Sequence, residues 1–123
     1  MVKGLWDQHE GPIVFSTVDN AGVPNAIYAS YAKLLDDGRI LVADNYFDKT
    51  RANIKNGSRG SVLFITKDMK SYQAKGHIEY LTKGPVYEDM RAWVDEKHPR
   101  VAAAVVSIEE LYAGSEKLLS QEM

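Results

Sequence analysis

The sequence predicts a mainly β fold, a barrel or rolled sheet of six strands with one short helix and one longer helix. Three observations carry this. Short β-branched or alternating runs follow one another across gaps of turn length. Only one segment of real length repeats its apolar residues at three- and four-residue spacing. Between these, the run VADNYFDKTRANIKNG from Val42 to Gly57 joins the end of an apolar strand to a short helix.

Taken in order, Ile13 to Val18 is apolar and β-branched, and Asp19, Asn20, Ala21 and Gly22 after it suit a hairpin turn. The returning strand, roughly Asn25 to Leu35, sets Ile27, Ala29 and Tyr31 against Tyr28, Ser30 and Ala32 and ends in Asp36, Asp37 and Gly38. Arg39 to Ala43 is a third strand. The short helix follows, with Asp48 at its N-cap, Ala52 and Ile54 as anchors, and Asn56 and Gly57 as its stop. Ser61 to Thr66 is a fourth strand and Tyr72 to Thr82 a fifth, with Gly76 as a bulge or bend inside it. In the longer helix Pro85 fits the first position, Val86, Met90, Trp93 and Val94 share a face, and Pro99 ends the run. Val101 to Ile108 is the sixth strand. Ser107 with Glu110 resembles a capping box opening a last helical turn through Leu111 and Tyr112, and the tail from Ser115 to Met123 is expected to be loosely held.

With 123 residues, 45% of them hydrophobic and 26% charged, the chain is expected to form a single domain, residues 1–123, of ordinary globular composition. Fifteen basic against seventeen acidic residues leave a net charge of -2, which offers no electrostatic footprint for nucleic acid or an anionic membrane. Cysteine is absent, so thiol nucleophiles, disulfides and thiolate metal sites are excluded. No run approaches the ~18 apolar residues that span a bilayer, and the expected setting is the cytoplasm.

The chemistry concentrates in the strand-to-helix run. The first N-H groups of a helix lack intrahelical partners and sit at the positive end of its dipole, so they attract an anion. Lys49 adds a charge there and Thr50 a hydroxyl; taken alone, the pair reads more simply as solvated polar residues. No catalytic constellation accompanies them. His9, His77 and His98 are far apart and read as surface or packing residues, with His77 able to face a ligand. No serine sits in a nucleophile elbow. The pairs Asp36 with Asp37 and Glu109 with Glu110 read as turn and cap residues. Arg51 and Arg59 are the nearest further cations to the helix start.

Four pieces in this order, VFSTVDNAGVPNAIYASY, ILVADNYFDKTRANIKNG, SYQAKGHIEYLTKGPVYEDM and AAAVVSIEELY, resemble the pyridoxamine 5'-phosphate oxidase-like family of FMN-binding split barrels across nearly the whole chain. The resemblance implies a six-stranded split β-barrel that binds FMN, with the isoalloxazine against the second and third strands and the phosphate at the start of the short helix. Carried onto this chain, it places Lys49 and Thr50 on the phosphate, with Asn53 one turn on. Asp44, Asn45, Tyr46 and Phe47 then line the ribityl and ring side, and Tyr28, Ala29 and Ser30 meet the flavin edge. It also implies a homodimer with FMN at the interface, with Trp6 either under the barrel or over a neighbour's flavin, and an N-terminal helix reduced to about Lys3 to His9. The expected function is a small flavin-dependent oxidoreductase or electron carrier with an unknown partner. A deazaflavin (F420) reductase and a non-redox haem- or ligand-binding module are the alternatives. No arginine follows Arg100, where the B6 oxidase grips a second phosphate, so pyridoxamine phosphate oxidation is not expected.

Overall fold

The computed structural model describes residues 1–120, and the expected loose tail lies partly outside them, at 121–123. Its elements in chain order are α1 (Val2–Asp7), β1 (His9–Val18), β2 (Pro24–Ala29), β3 (Ala32–Leu34), β4 (Ile40–Asp44), α2 (Lys49–Lys55), β5 (Gly60–Thr66), β6 (Ser71–Gly76), β7 (Ile78–Leu81), α3 (Pro85–Trp93), β8 (Ala102–Val106), β9 (Glu110–Ala113) and β10 (Glu116–Ser120). The strands form a six-stranded sheet in the order β10-β9-β6-β5-β1-β2 and a four-stranded sheet in the order β3-β4-β8-β7. The mainly β, split-barrel class is as expected, while the strand count is not.

The difference has a physical source. Both long strands expected from the sequence break where the chain passes from one sheet to the other. At Ser30 and Tyr31 the backbone leaves β2, paired with β1, and enters β3, paired with β4; Ala43 N-H closes the corner by donating to Tyr31 O at 2.9 Å. At Gly76 and His77 it leaves β6 for β7. There the Ser107 backbone crosses so closely that a Cβ on Gly76 would run into the Ser107 carbonyl oxygen, so only glycine fits. The same crossing corrects the expected C-terminal helical turn. Ser107 N-H donates to His77 O and Glu109 N-H to Lys75 O, each at 2.9 Å, and the chain continues as β9 beside β6 and then hairpins into β10. Ladder bonds on the exposed edge of β6 win over a local capping preference.

One apolar cluster fills the space between the sheets, including Ile13, Phe15, Ile40, Val42, Val62, Phe64, Ala104, Val106 and Leu111. Trp6 joins it, buried edge-on to Phe64 at 5.1 Å, which settles its place under the barrel. A second cluster covers the other face of β4 and β8, where Met90 of α3 and Val94 at its C-cap pack on Leu41, Ala43, Ala103 and Val105. Both strands are therefore buried on both faces and read as continuous apolar runs. Full burial of a side chain such as Met90 contributes about 1.5–3 kcal/mol. Trp93, expected on that apolar face, lies at its rim, edge-on to Tyr31 and beneath the Lys33 ammonium.

Candidate functional site

The end of β4 and the start of α2 meet the end of β2 around a cavity of about 480 Å³. Its wall includes Asn25, Tyr28, Ala29 and Ser30 from the β2 side, and Asn45, Tyr46, Phe47, Lys49 and Thr50 from the β4-to-α2 run; His98 arrives from the segment after α3. Eight of the residues expected from the sequence are thus brought to one cavity: Tyr28, Ala29, Ser30, Asn45, Tyr46, Phe47, Lys49 and Thr50. The cavity has two chemically distinct ends.

At the helix end, Asp48 occupies the N-cap without a side-chain bond to the first turn, which leaves that turn's N-H groups unclaimed by the cap. Lys49 is exposed and pairs with no carboxylate among the described residues. The buried Thr50 hydroxyl accepts from Asn25 Nδ2 at 3.0 Å, which leaves its proton available as a donor. An uncommitted cation, a hydroxyl donor and uncapped N-H groups fit a phosphate by their chemistry.

At the other end, Tyr28, Tyr31, Tyr46, Phe47 and His98 make an aromatic wall. Phe47 is also a core anchor, buried with its ring 5.9 Å from Phe15. Tyr28 and Tyr46 are 79% and 70% exposed, large apolar surface left uncovered beside a cavity.

Two expected members lie outside the wall. Asn53 is buried behind α2, donating to Thr17 Oγ1 at 3.0 Å, and so ties the helix to β1. Asp44 is fully buried and its carboxylate is already committed. It accepts from Arg51 through both oxygens at 2.8 and 2.9 Å, from Tyr80 Oη at 2.5 Å and from Phe47 N-H at 3.0 Å. A carboxylate so fully used has no capacity left for a ligand. Its role is to hold the 45–48 loop and the first turn of α2 in place. Arg51 therefore faces Asp44, and the Asp44 hydrogen bonds raise the pKa of its guanidinium further. Tyr80 is pushed up to about 12, first by burial and then by the Asp44 carboxylate that its hydroxyl serves. Among its α2 neighbours only Lys49 keeps a free charge toward the cavity.

A larger open groove, about 910 Å³, lies elsewhere on the six-stranded sheet, lined by Arg59, Gln73, Lys75, His77, Glu109 and Lys117 among others. Most of its charges satisfy one another, while Lys75 lies over the Tyr112 ring at 5.3 Å. Arg59 Nη2 donates to both Glu109 oxygens at 3.1 and 2.8 Å, His77 Nδ1 is 2.9 Å from Glu109, and Lys117 pairs with Glu110 at 3.3 Å. This places Arg59 and His77 in the groove and outside the wall of the smaller cavity. Size favours the groove, but an unpaired cation beside uncapped N-H groups favours the smaller cavity, and chemistry decides the assignment.

Residues 7–113 match the pyridoxamine 5'-phosphate oxidase family model. The chain belongs to this family. An uncharacterized protein of Methanocaldococcus jannaschii is 36% identical over 120 residues, spanning 91% of this chain and 76% of that protein. Among solved structures, the HupZ protein of Group A Streptococcus superposes with a TM-score of 0.79 at 24% identity, covering 96% of this chain and 94% of that one. An FMN-binding protein of Syntrophomonas wolfei gives 0.78 at 21% identity, covering 91% and 82%. These structures share the pyridoxamine 5'-phosphate oxidase-like split barrel.

Sequence reading missed Asn25, Tyr31 and His98 of the wall and the Asp44, Arg51 and Tyr80 network behind it. A signal for the network was present: a lone aspartate closing the strand ILVAD, followed by the only arginine of α2. No local signal marks His98, whose site neighbour Tyr46 is brought to it only by the fold.

Proposed function

We propose that this protein is a flavoprotein that binds FMN in the 480 Å³ cavity and works as a small oxidoreductase or electron carrier in the cytoplasm. The observation that carries the reading is the pairing, in one cavity, of an anion seat at Lys49 and Thr50 with an aromatic wall able to pack a planar ring. When bound, FMN supplies the redox chemistry itself, so no acid-base dyad or metal is needed from the chain. The protein's residues bind and orient: Lys49 and Thr50 take the phosphate, and Tyr28, Ala29, Ser30, Asn45, Tyr46 and Phe47 surround the rest. Among the described residues no helix is long and apolar enough to cross a membrane, and no three side chains cluster as metal ligands.

The functional form in this reading is a homodimer. In the six-stranded sheet, registered pairs align Tyr28, Val14, Leu63, Gln73 and Tyr112 in one row across five strands. Leu63 and the neighbouring Ile65 are 39% and 37% exposed. Such a row is apolar surface that a second copy covers well, and Tyr28 at its end also lines the cavity. Trp6, buried in the core, contributes nothing to that interface.

The visible spectrum of the purified protein, followed by FMN and riboflavin titrations, tests the reading. Flavin absorbance and tighter binding of FMN than of riboflavin support it. A haem Soret band, or binding of the deazaflavin F420 in preference to FMN, replaces it. Sedimentation equilibrium at micromolar concentration checks the dimer, and a lone 13.8 kDa species defeats it.

A further inference from the structure

The segment after α3 is strapped to the loop that forms the cavity floor. Val101 N-H donates to Asp44 O at 2.8 Å, Arg100 N-H to Asn45 Oδ1 at 3.1 Å, and the Tyr46 hydroxyl meets His98 Nδ1 at 3.1 Å. His98 is also wedged edge-on against Tyr31 at 5.2 Å and Tyr46 at 5.8 Å. Arg100 holds the strap with a positive φ of 50° and a bond from Nη1 to Arg91 O at 3.0 Å. A positive φ at a non-glycine residue is a backbone cost that the surrounding contacts must outweigh. The imidazole is therefore fixed by two aromatic faces and one hydroxyl, on the aromatic end of the cavity. Tyr46 uses Nδ1, and among the described residues Nε2 has no hydrogen-bond partner.

We propose that His98 is a specificity-determining residue of this cavity, whose free ring nitrogen hydrogen-bonds the heteroatom-bearing edge of a bound fused ring. The inference rests on the flavin reading above and extends it. It assigns the far wall a polar contact that selects isoalloxazine-like rings, carrying carbonyl and nitrogen acceptors, over hydrocarbon rings of equal area. The wall otherwise offers apolar packing, which tells rings apart only by shape, whereas a single directed hydrogen bond discriminates by chemistry. Tyr46 acts through His98 as a positioning residue, since its hydroxyl fixes which nitrogen faces outward.

The two ends of the cavity make separable predictions. His98→Phe keeps an aromatic ring in the wall and removes the hydrogen bond, so it should weaken FMN and riboflavin alike, by about fivefold, the worth of one ordinary hydrogen bond. His98→Gln, which restores a polar group, should recover part of that loss for both flavins. Tyr46→Phe, which leaves His98 in place but unanchored, should weaken both by a smaller factor and keeps the question open to measurement if the His98 variants fail to fold. Fluorescence-quenching titrations with FMN and riboflavin provide the affinities, and the position of the bound flavin's absorbance band reports the change in ring environment. Unchanged affinity in His98→Phe, a loss confined to FMN, or a glutamine variant no better than phenylalanine overturns the proposal. If the unsubstituted protein binds neither flavin, the cofactor reading itself falls, a result distinct from the pattern that removes His98 alone.

Discussion

Two clefts of this molecule carry charge and use it in opposite ways. In the wide groove Arg59, His77 and Glu109 close on one another at the surface, Arg59 being 62% exposed along its side chain. Around the smaller cavity, the pairing is pushed behind the wall: Asp44, fully buried, takes up Arg51 and Tyr80, and Lys49 is left without a carboxylate partner among the described residues. A cleft whose charges are mutually satisfied has little electrostatic work to offer a ligand. One whose structural charges are paired out of sight can keep a single cation for recognition. Cleft volume alone does not register this difference.

The comparison breaks first at Asp44. Asp44→Asn leaves Arg51 and Tyr80 facing an amide in a buried site, and loss of one partner from such a pair costs about 3 kcal/mol. A chemical-denaturation series should show a correspondingly lower midpoint, and a change below ~0.5 kcal/mol, the usual size of a surface effect, would mean the network does not hold the loop. The next effect is functional. Lys49→Ala removes a charge-assisted contact of roughly 1.5–3 kcal/mol, so FMN should weaken by about 10- to 100-fold while riboflavin hardly changes. Equal losses for the two flavins would take Lys49 away from the phosphate. Smaller still is Arg59→Ala, which breaks an exposed ion pair and should shift stability by less than about 1 kcal/mol, and less again in high salt. A larger loss would show that the groove's pairs do more than satisfy one another.

The last test, silent at neutral pH, sharpens the contrast through alkaline titration. Tyr80 ionises more readily unfolded than folded, because folding raises its pKa from 10.0 to about 12. Its contribution to stability is therefore complete below pH ~10 and is lost as pH rises through ~12. Its phenolate would stand against the Asp44 carboxylate. Subtracting the alkaline unfolding profile of Tyr80→Phe from that of the unsubstituted protein isolates this step from the other tyrosines. Coincident profiles would mean that Tyr80 does not donate to Asp44.

What the sequence revealed and what it hid divide along the range of the interactions. The start of α2 at Lys49, the stop at Asn56 and Gly57, and the buried face of α3 at Met90 with Val94 at its C-cap all follow from residues within a turn or two of each other. Eight wall residues were legible because they sit on two such local segments. The bend at Gly76 was legible as a bend. Its consequence, transfer of the chain from one sheet to the other, depends on Ser107 and was not. Ser107 and Glu110 carry the spacing of a helix cap, yet a strand edge waiting at β6 took the segment instead. The surroundings of His98 and Asp44 were hidden because their partners, Tyr46 for one and Tyr80 for the other, are adjacent only after the barrel forms.

The crossing of Gly76 under Ser107 also bears on the order in which the protein is built. During synthesis β1, β2, β5 and β6 emerge early and can pair as successive antiparallel neighbours, but the corner at Gly76 has nothing to close against until Ser107 has left the ribosome. The nascent chain therefore carries an open sheet, its β6 edge bare, until its last strands arrive. The C-terminal hairpin is the seal of that edge, and without it β6 would present an unpaired row of backbone donors and acceptors.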